Sequence, residues 1–266
     1  MEAKSLGFIG GGRITRIFLQ AFVNKKAIFN SISVFDTNPE VLEALKLQYP
    51  FLQVKKSLVE CARNDIVLLA LHHPILIETL HQIKDKVKEQ TILISPASHI
   101  TIEQLSLGVK CRQIVRILPT PISIINQGYN PVAFKSTMTE IQKWSILKML
   151  NILGHAFETS EEKLEGYAVI SSMLPAYFWF QWHEIETIGI HFGMSLAECR
   201  ESIYETMIGA LNLMYRSGMN PEKVMNLISS KPLHENEEQI KAIYQKRLNE
   251  IYNKIKPVEK TDLYSS

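Results

Sequence analysis

Apolar residues in this chain follow two rhythms. Up to about residue 158, short runs of Ile, Leu, Val and Phe alternate with segments whose apolar positions recur every three or four residues. That is the pattern of strands interleaved with helices. The strand runs are Leu6–Ile9, Ile32–Phe35, Ile66–Ala70, Thr91–Ile94 and Ile114–Leu118, with Pro131–Phe134 and His155–Glu158 flanking a helix over Glu140–Leu153. Helix starts are legible between them. Asn38 stands before Pro39 at the head of Pro39–Leu47, a second helix opens at Pro74, and a third opens at Thr101 with Glu103 beside it. Such alternation predicts a mostly parallel sheet covered by helices.

From about Glu161 the strand runs stop. Glu162 to His191 reads as one long helix and Ser195 to Arg216 as another, with Ser195 as its N-cap. In the second of these Leu196, Cys199, Ile203, Met207, Leu211 and Met214 repeat at intervals of three and four. A short helix follows Pro221, and a last one covers Glu235–Lys256 ahead of a polar tail. The long helix is apolar on all sides through Met173, Leu174, Tyr177, Phe178, Trp179, Phe180 and Trp182, so it needs burial on all sides. The helical region is short for that task. A homodimer through the C-terminal helices is the expected cover, with a compact monomeric bundle as the alternative.

Where the first strand ends, the chain carries its most specific signal. Leu6-Gly7-Phe8-Ile9 runs into Gly10-Gly11-Gly12 and then into the helix of Arg13 and Ile14. A strand that turns through glycines into a helix presents backbone N–H groups at the positive end of that helix, where a dinucleotide diphosphate can approach. The next strand ends in Asp36, placed to accept from an adenosine ribose. Two departures accompany this fingerprint. Thr15 takes the third glycine position, and the interval from Gly12 to Asp36 exceeds the usual ~20 residues. The chain therefore reads as α/β, with a Rossmann-type dinucleotide-binding domain over 1–160 followed by an all-α dimerisation and substrate domain over 161–266. Asp36 would repel a 2′-phosphate and favours NAD(H); the neutral Thr37 and Asn38 that follow it can donate to a phosphate, which keeps NADP(H) open.

Composition narrows the class further. The 266 residues carry a net charge of +2 with the lysines spread out, which gives no footprint for nucleic acid or an anionic membrane. The most apolar run, 166–180, is too short for a bilayer and is broken by Pro175. Cys61, Cys111 and Cys199 are far apart and suit a reducing cytoplasm. The first strand begins almost at once, so no signal peptide is expected.

Leu71, His72, His73 and Pro74 follow the strand Ile66–Ala70, at the carboxyl end of the sheet where ligands bind. One of the two histidines is expected to line the cofactor cleft and the other to pack. His99 ends the neighbouring strand's turn; its imidazole could supply a proton, or serve as a hydrogen-bonded structural residue. No carboxylate or Cys shares the spacing of these histidines, so no metal site is expected.

Over nearly its whole length the chain resembles the pyrroline-5-carboxylate reductase family. The likeness is carried by Gly7-Phe8-Ile9-Gly10-Gly11-Gly12, by Asn38-Pro39-Glu40 with Leu42-Glu43-Ala44-Leu45, by Ile100-Thr101-Ile102-Glu103-Gln104-Leu105, by Val115-Arg116-Ile117-Leu118-Pro119, and by Pro175-Ala176-Tyr177. The resemblance implies a dinucleotide-binding domain, a helical domain that intertwines with its mate, and hydride transfer from NAD(P)H to the C=N bond of a small imino acid. It implies cofactor contacts at Gly10, Gly11, Gly12, Arg13, Ile14, Asp36, Thr37, Leu71, His72, His73 and Pro74. Substrate contacts fall at Ser171, Ser172, Ser229, Ser230 and Lys231, with His99, Ser172 and Lys231 as catalytic candidates.

The departures from the family fall where chemistry is done. His73 stands for the family's Lys and His99 for its Gly. Leu118-Pro119-Thr120-Pro121 is one residue short and lacks an Asn, and Ser171-Ser172-Met173-Leu174 replaces Ser-Gly-Ser-Gly. Ser229-Ser230-Lys231-Pro232-Leu233-His234 replaces the Pro-Gly-Gly-x-Thr loop that holds the imino acid. A non-catalytic dimeric dinucleotide-binding paralogue with a sensing or regulatory role is the alternative expectation.

Overall fold

The structure is a computed structural model that describes residues 4–73 and 75–257. It divides into two compact units, residues 4–172 with 251–257 and residues 173–250. The first unit opens with β1 (Ser5–Ile9), α1 (Arg13–Asn24), β2 (Ser31–Phe35), α2 (Pro39–Gln48), β3 (Gln53–Val54), α3 (Leu58–Ala62) and β4 (Ile66–Leu69). It continues with α4 (Ile75–Ile83), β5 (Ile92–Ser95), α5 (Ile102–Gly108), β6 (Gln113–Ile117), β7 (Gly128–Phe134), α6 (Glu140–Leu150), β8 (Gly154–Glu158) and α7 (Leu164–Tyr167). One sheet of order β3-β2-β1-β4-β5-β6-β7-β8 joins all eight strands. The pairs from β3 through β6 are parallel, β7 runs antiparallel to β6, and β8 is parallel to β7. The chain crosses from β1 outward to β2 and β3, then back to β4 on the other side of β1, and this reversal puts a crevice at the carboxyl ends of β1 and β4.

The sheet is buried on both faces, as parallel strands require. Phe8, Val34, Leu68, Ile94 and Val115 lie in its core, with Phe18 and Leu19 of α1 and Leu45 of α2 packed among them. Local chemistry sets the helix starts. The Asn38 side chain accepts from the Glu40 N–H with Pro39 in the first turn. Thr101 and Thr139 each form a reciprocal capping box, and the partner of Thr101 is Gln104 rather than the neighbouring Glu103.

β3 and α3 are too short to leave a periodic signal in the sequence. The helix expected over Glu140–Leu153 ends at Leu150, and a 3₁₀ turn (Asn151–Leu153) leads to Gly154. Gly154 holds φ +129°, and a side chain there would collide with the Gly128 backbone. The single helix expected from Glu162 to His191 is also broken. A 3₁₀ turn over Glu161–Lys163, α7 and a π-turn over Ala168–Ser172 precede a fresh start at Leu174. Pro175 is the reason: it has no N–H to donate and its ring opposes the preceding turn, so the helix restarts there.

The second unit consists of α8 (Leu174–His191), α9 (Leu196–Arg216), α10 (Pro221–Met225) and most of α11 (Glu237–Ile255). Ser195 caps α9 through a reciprocal box with Glu198. Gly189 of α8 meets α9 at Cys199, so close that a β-carbon would come within 2.7 Å of the Cys199 Sγ. Arg200 donates to Glu186 at 2.8 Å across the same pair, and Tyr177 meets Tyr244 of α11 edge-on. Of the apolar face expected on α9, only Cys199 is buried. Trp179 and Phe180 of α8 stay 49% and 68% exposed.

Candidate functional site

The carboxyl ends of the central strands carry the site, and the glycine turn after β1 is its floor. Gly10 sits at φ +99° with its N–H donating to the Phe35 carbonyl at 2.8 Å; a β-carbon there would strike the Ala70 carbonyl. The Gly11 N–H donates to Asp36 Oδ2 at 2.6 Å, and the Asn38 N–H to Asp36 Oδ1 at 2.8 Å. Asp36 thereby ties the glycine turn to the end of β2. Thr15, in the third glycine position, is fully buried and donates its hydroxyl to the Gly10 carbonyl at 2.6 Å. That bond satisfies the hydroxyl inside the helix–strand contact.

Gly12 is the N-cap of α1 and faces open space. It offers no capping side chain, and the first turn of Arg13 and Ile14 holds no acid. By contrast α2, α5, α6, α9 and α10 each have a side-chain cap and an acid in the first turn. An uncapped helix N-terminus behind an open glycine is a seat for an anion. The residues present therefore fit a dinucleotide diphosphate.

A second observation marks the same end of the sheet. Among the described residues, the buried side-chain polar atoms without a hydrogen-bond partner are His73 Nε2, Arg116 Nε, Thr120 Oγ1 and Asn130 Nδ2. His73 follows β4, Arg116 belongs to the end of β6, Thr120 follows that strand at the head of a 3₁₀ turn, and Asn130 lies in the first residues of β7, which runs antiparallel to β6. Buried polar atoms are nearly always paired, so such a concentration marks a place where something other than packing is served. His72 is exposed, Leu71 partly so, and Pro74 lies outside the described residues.

Arg116 was not singled out from the sequence. It is 1% exposed, donates from Nη1 to Glu161 at 2.9 Å and from Nη2 to Glu165 at 2.6 Å, and reaches the Ala97 carbonyl at 3.2 Å. Glu161 also accepts from the Ile102 N–H at 2.7 Å, at the positive start of α5. A charge inside the apolar run Ile114–Leu118 and two acids four residues apart were the available signals.

The remaining expected residues fall in both units. Ser171 and Ser172 belong to the first, and their hydroxyls donate to the carbonyls of Tyr129 and Leu118 at 3.3 and 3.5 Å. Ser229, Ser230 and Lys231 belong to the second. There Ser230 and Lys231 line a cavity of about 830 Å³ with Met225, Leu233 and Tyr244, and the Lys231 ammonium donates to Asn226 at 3.1 Å. Burial pushes the Cys61 and Cys111 thiols up to about 11 and about 12, so neither is a nucleophile at neutral pH. Among the described residues no helix is long and apolar enough to cross a membrane.

The fold and the glycine turn are those of a dinucleotide-binding domain, and known proteins resemble the chain as follows. Residues 5–99 match the family described as NADP oxidoreductase coenzyme F420-dependent. The chain is 22% identical over 230 residues to pyrroline-5-carboxylate reductase of Escherichia coli, with 85% of each chain covered. It is 26% identical over 255 residues to pyrroline-5-carboxylate reductase 2 of Bacillus subtilis, covering 93% of this chain and 89% of that one. The crystal structure of Plasmodium falciparum pyrroline carboxylate reductase with NADP bound superposes at TM-score 0.83 and 20% identity, covering 96% and 98% of the two chains. Over most of its length the chain is thus similar to pyrroline-5-carboxylate reductases in sequence, and it shares their fold.

Proposed function

We propose that this protein is an NAD(P)H-dependent reductase that transfers hydride to the C=N bond of a small cyclic imino acid, with pyrroline-5-carboxylate as the leading substrate. The observation that carries the reading is the uncapped glycine N-terminus of α1 with Asp36 fixed beside it. The nicotinamide cofactor supplies the hydride when bound. Gly12 and the first-turn N–H groups hold its diphosphate, while Arg13 adds a positive charge. Asp36 receives the adenosine ribose and gives the site its lean toward NAD(H). Leu71, His72 and His73 border the crevice beyond the crossover. Ser171 and Ser172 are the substrate candidates of the first unit; in the second, the Lys231 ammonium is the candidate partner for a carboxylate, where the family has its glycine loop.

A homodimer through the C-terminal helices belongs to this reading, supported by the open apolar faces of α8, α9 and α11. So does a cytoplasmic setting, supported by three free buried cysteines. The test is a fluorescence titration with NADH and with NADPH, followed by pyrroline-5-carboxylate and absorbance at the reduced-cofactor band. Binding followed by oxidation supports the reductase. Failure to bind either cofactor sinks it. Binding without oxidation of any imine favours the second reading, a non-catalytic dinucleotide-binding paralogue, to which the loss of the glycine-rich loop at 229–234 points.

A further inference from the structure

We propose that His99 is the proton donor of this reduction, and that Arg116, Glu161 and Glu165 are positioning residues that clamp the loop carrying it. The inference rests on the reductase reading above. His99 sits at φ +66°, a left-handed backbone that costs any residue with a β-carbon. Two other described non-glycine residues share that region, Asn126 and, in the turn after α1, Lys26; histidine, like asparagine, is met there more often than most side chains.

The loop is pinned on both sides of the strained residue. Upstream, Arg116 donates to the Ala97 carbonyl. Downstream, the Ile102 N–H donates to Glu161, and Thr101 and Gln104 exchange hydrogen bonds at 2.7 and 3.1 Å. The His99 N–H itself donates to the Ile255 carbonyl at 3.2 Å. One buried guanidinium thus fixes the upstream flank directly and the downstream flank through Glu161, while Glu165 neutralises its other arm. Strain held in place by so much surrounding structure collects at functional sites.

Position and chemistry agree. The reductase reading would put the adenosine half of the cofactor at Asp36 and the nicotinamide half on the far side of the crossover, and His99 stands in the loop that follows β5 on that side. A bound reduced nicotinamide would supply the hydride that forms the C–H bond and would itself be oxidised, leaving the C=N π pair on nitrogen. That nitrogen then takes a proton. An imidazolium N–H of His99 breaks to give it, and the neutral ring is reprotonated from water. The competing groups are engaged: Ser171 and Ser172 donate to main-chain carbonyls and Lys231 to Asn226.

The test uses His99→Gly, His99→Gln and Glu161→Gln in the full-length protein. Relief of the backbone should raise the apo thermal midpoint of His99→Gly by about 2 °C or more. Both His99 variants should lose ~100-fold or more in turnover of pyrroline-5-carboxylate and hold reduced-cofactor affinity within about twofold. Added imidazole should restore His99→Gly in part. Glu161→Gln should lower kcat several-fold, leave the KM for cofactor unchanged and gain nothing from imidazole. A His99→Gly protein with wild-type turnover overturns the inference and leaves the reductase standing. A wild-type protein that binds reduced cofactor and reduces no cyclic imino acid overturns both.

Discussion

The two units solve burial in opposite ways. In the first, every central strand is covered on both faces and the apolar residues of α1 and α2 close over the sheet. In the second, Cys199 is the one buried side chain among the described residues, although α8 is apolar on all sides and Phe192 at its end is 79% exposed. A unit that buries so little of its apolar surface within one chain cannot offset the entropy of ordering its helices by that burial alone. The difference teaches that the first unit carries its own core, while the second leaves most of its apolar surface open within one chain.

The hardest way to break this comparison is to charge the second unit. Phe180→Glu should split the proposed dimer into monomers and unfold the helical unit first, as read by analytical ultracentrifugation and circular dichroism. A Phe180→Glu protein that remains dimeric with an unchanged melt defeats it. Leu68→Ala, in the first unit, should cost about 2–5 kcal/mol whatever the oligomeric state.

Arg116→Met tests whether the first unit tolerates uncompensated charge. Removing the guanidinium leaves the buried Glu165 unpaired, and urea unfolding should show a loss of about 3–5 kcal/mol. Adding Glu165→Gln to that variant should recover part of it. Gly12→Asp would make α1 resemble its capped neighbours. The thermal midpoint should hold or rise, worth about 1 kcal/mol at the cap, while cofactor affinity falls about tenfold or more in a fluorescence titration.

The smallest effect is a pH dependence. Hydrogen bonds from the Ser5 backbone and hydroxyl hold the Asp65 carboxyl below its ordinary range. Its contribution is therefore present above the unfolded carboxylate pKa of about 3.9 and is lost as pH falls through the lower folded value. Ser5→Ala should flatten the acid limb of a stability–pH curve for the first unit. An unchanged limb would show that the backbone N–H of residue 5, which the variant keeps, holds that carboxyl down without the hydroxyl.

Much of this was legible in the chain. Short, near-continuous apolar runs marked the strands from β1 to β8, except the two-residue β3, and Asn38-Pro39, Thr101 and Ser195 marked helix starts through their side-chain chemistry. The glycine turn and Asp36 could be read because a strand that ends in glycines and a next strand that ends in an acid are both local features of the chain. Pro175 was visible as a breaker, yet its effect on the helix was not, because the preceding π-turn depends on how the segment packs. The Arg116 triad was hidden for a related reason. Its members are far apart in sequence, and no spacing rule links a strand residue to acids that follow the last strand.

Asp36 has a consequence for anyone who would re-engineer the cofactor choice. Its two carboxylate oxygens take the N–H groups of Gly11 and Asn38, so the residue proposed to receive the ribose is also the fastener of the glycine turn. Exchanging it for a neutral residue to admit a 2′-phosphate releases both fastenings at once. Selectivity and grip are written in one side chain, and a successful redesign has to supply a new acceptor for the Gly11 N–H together with any new phosphate partner.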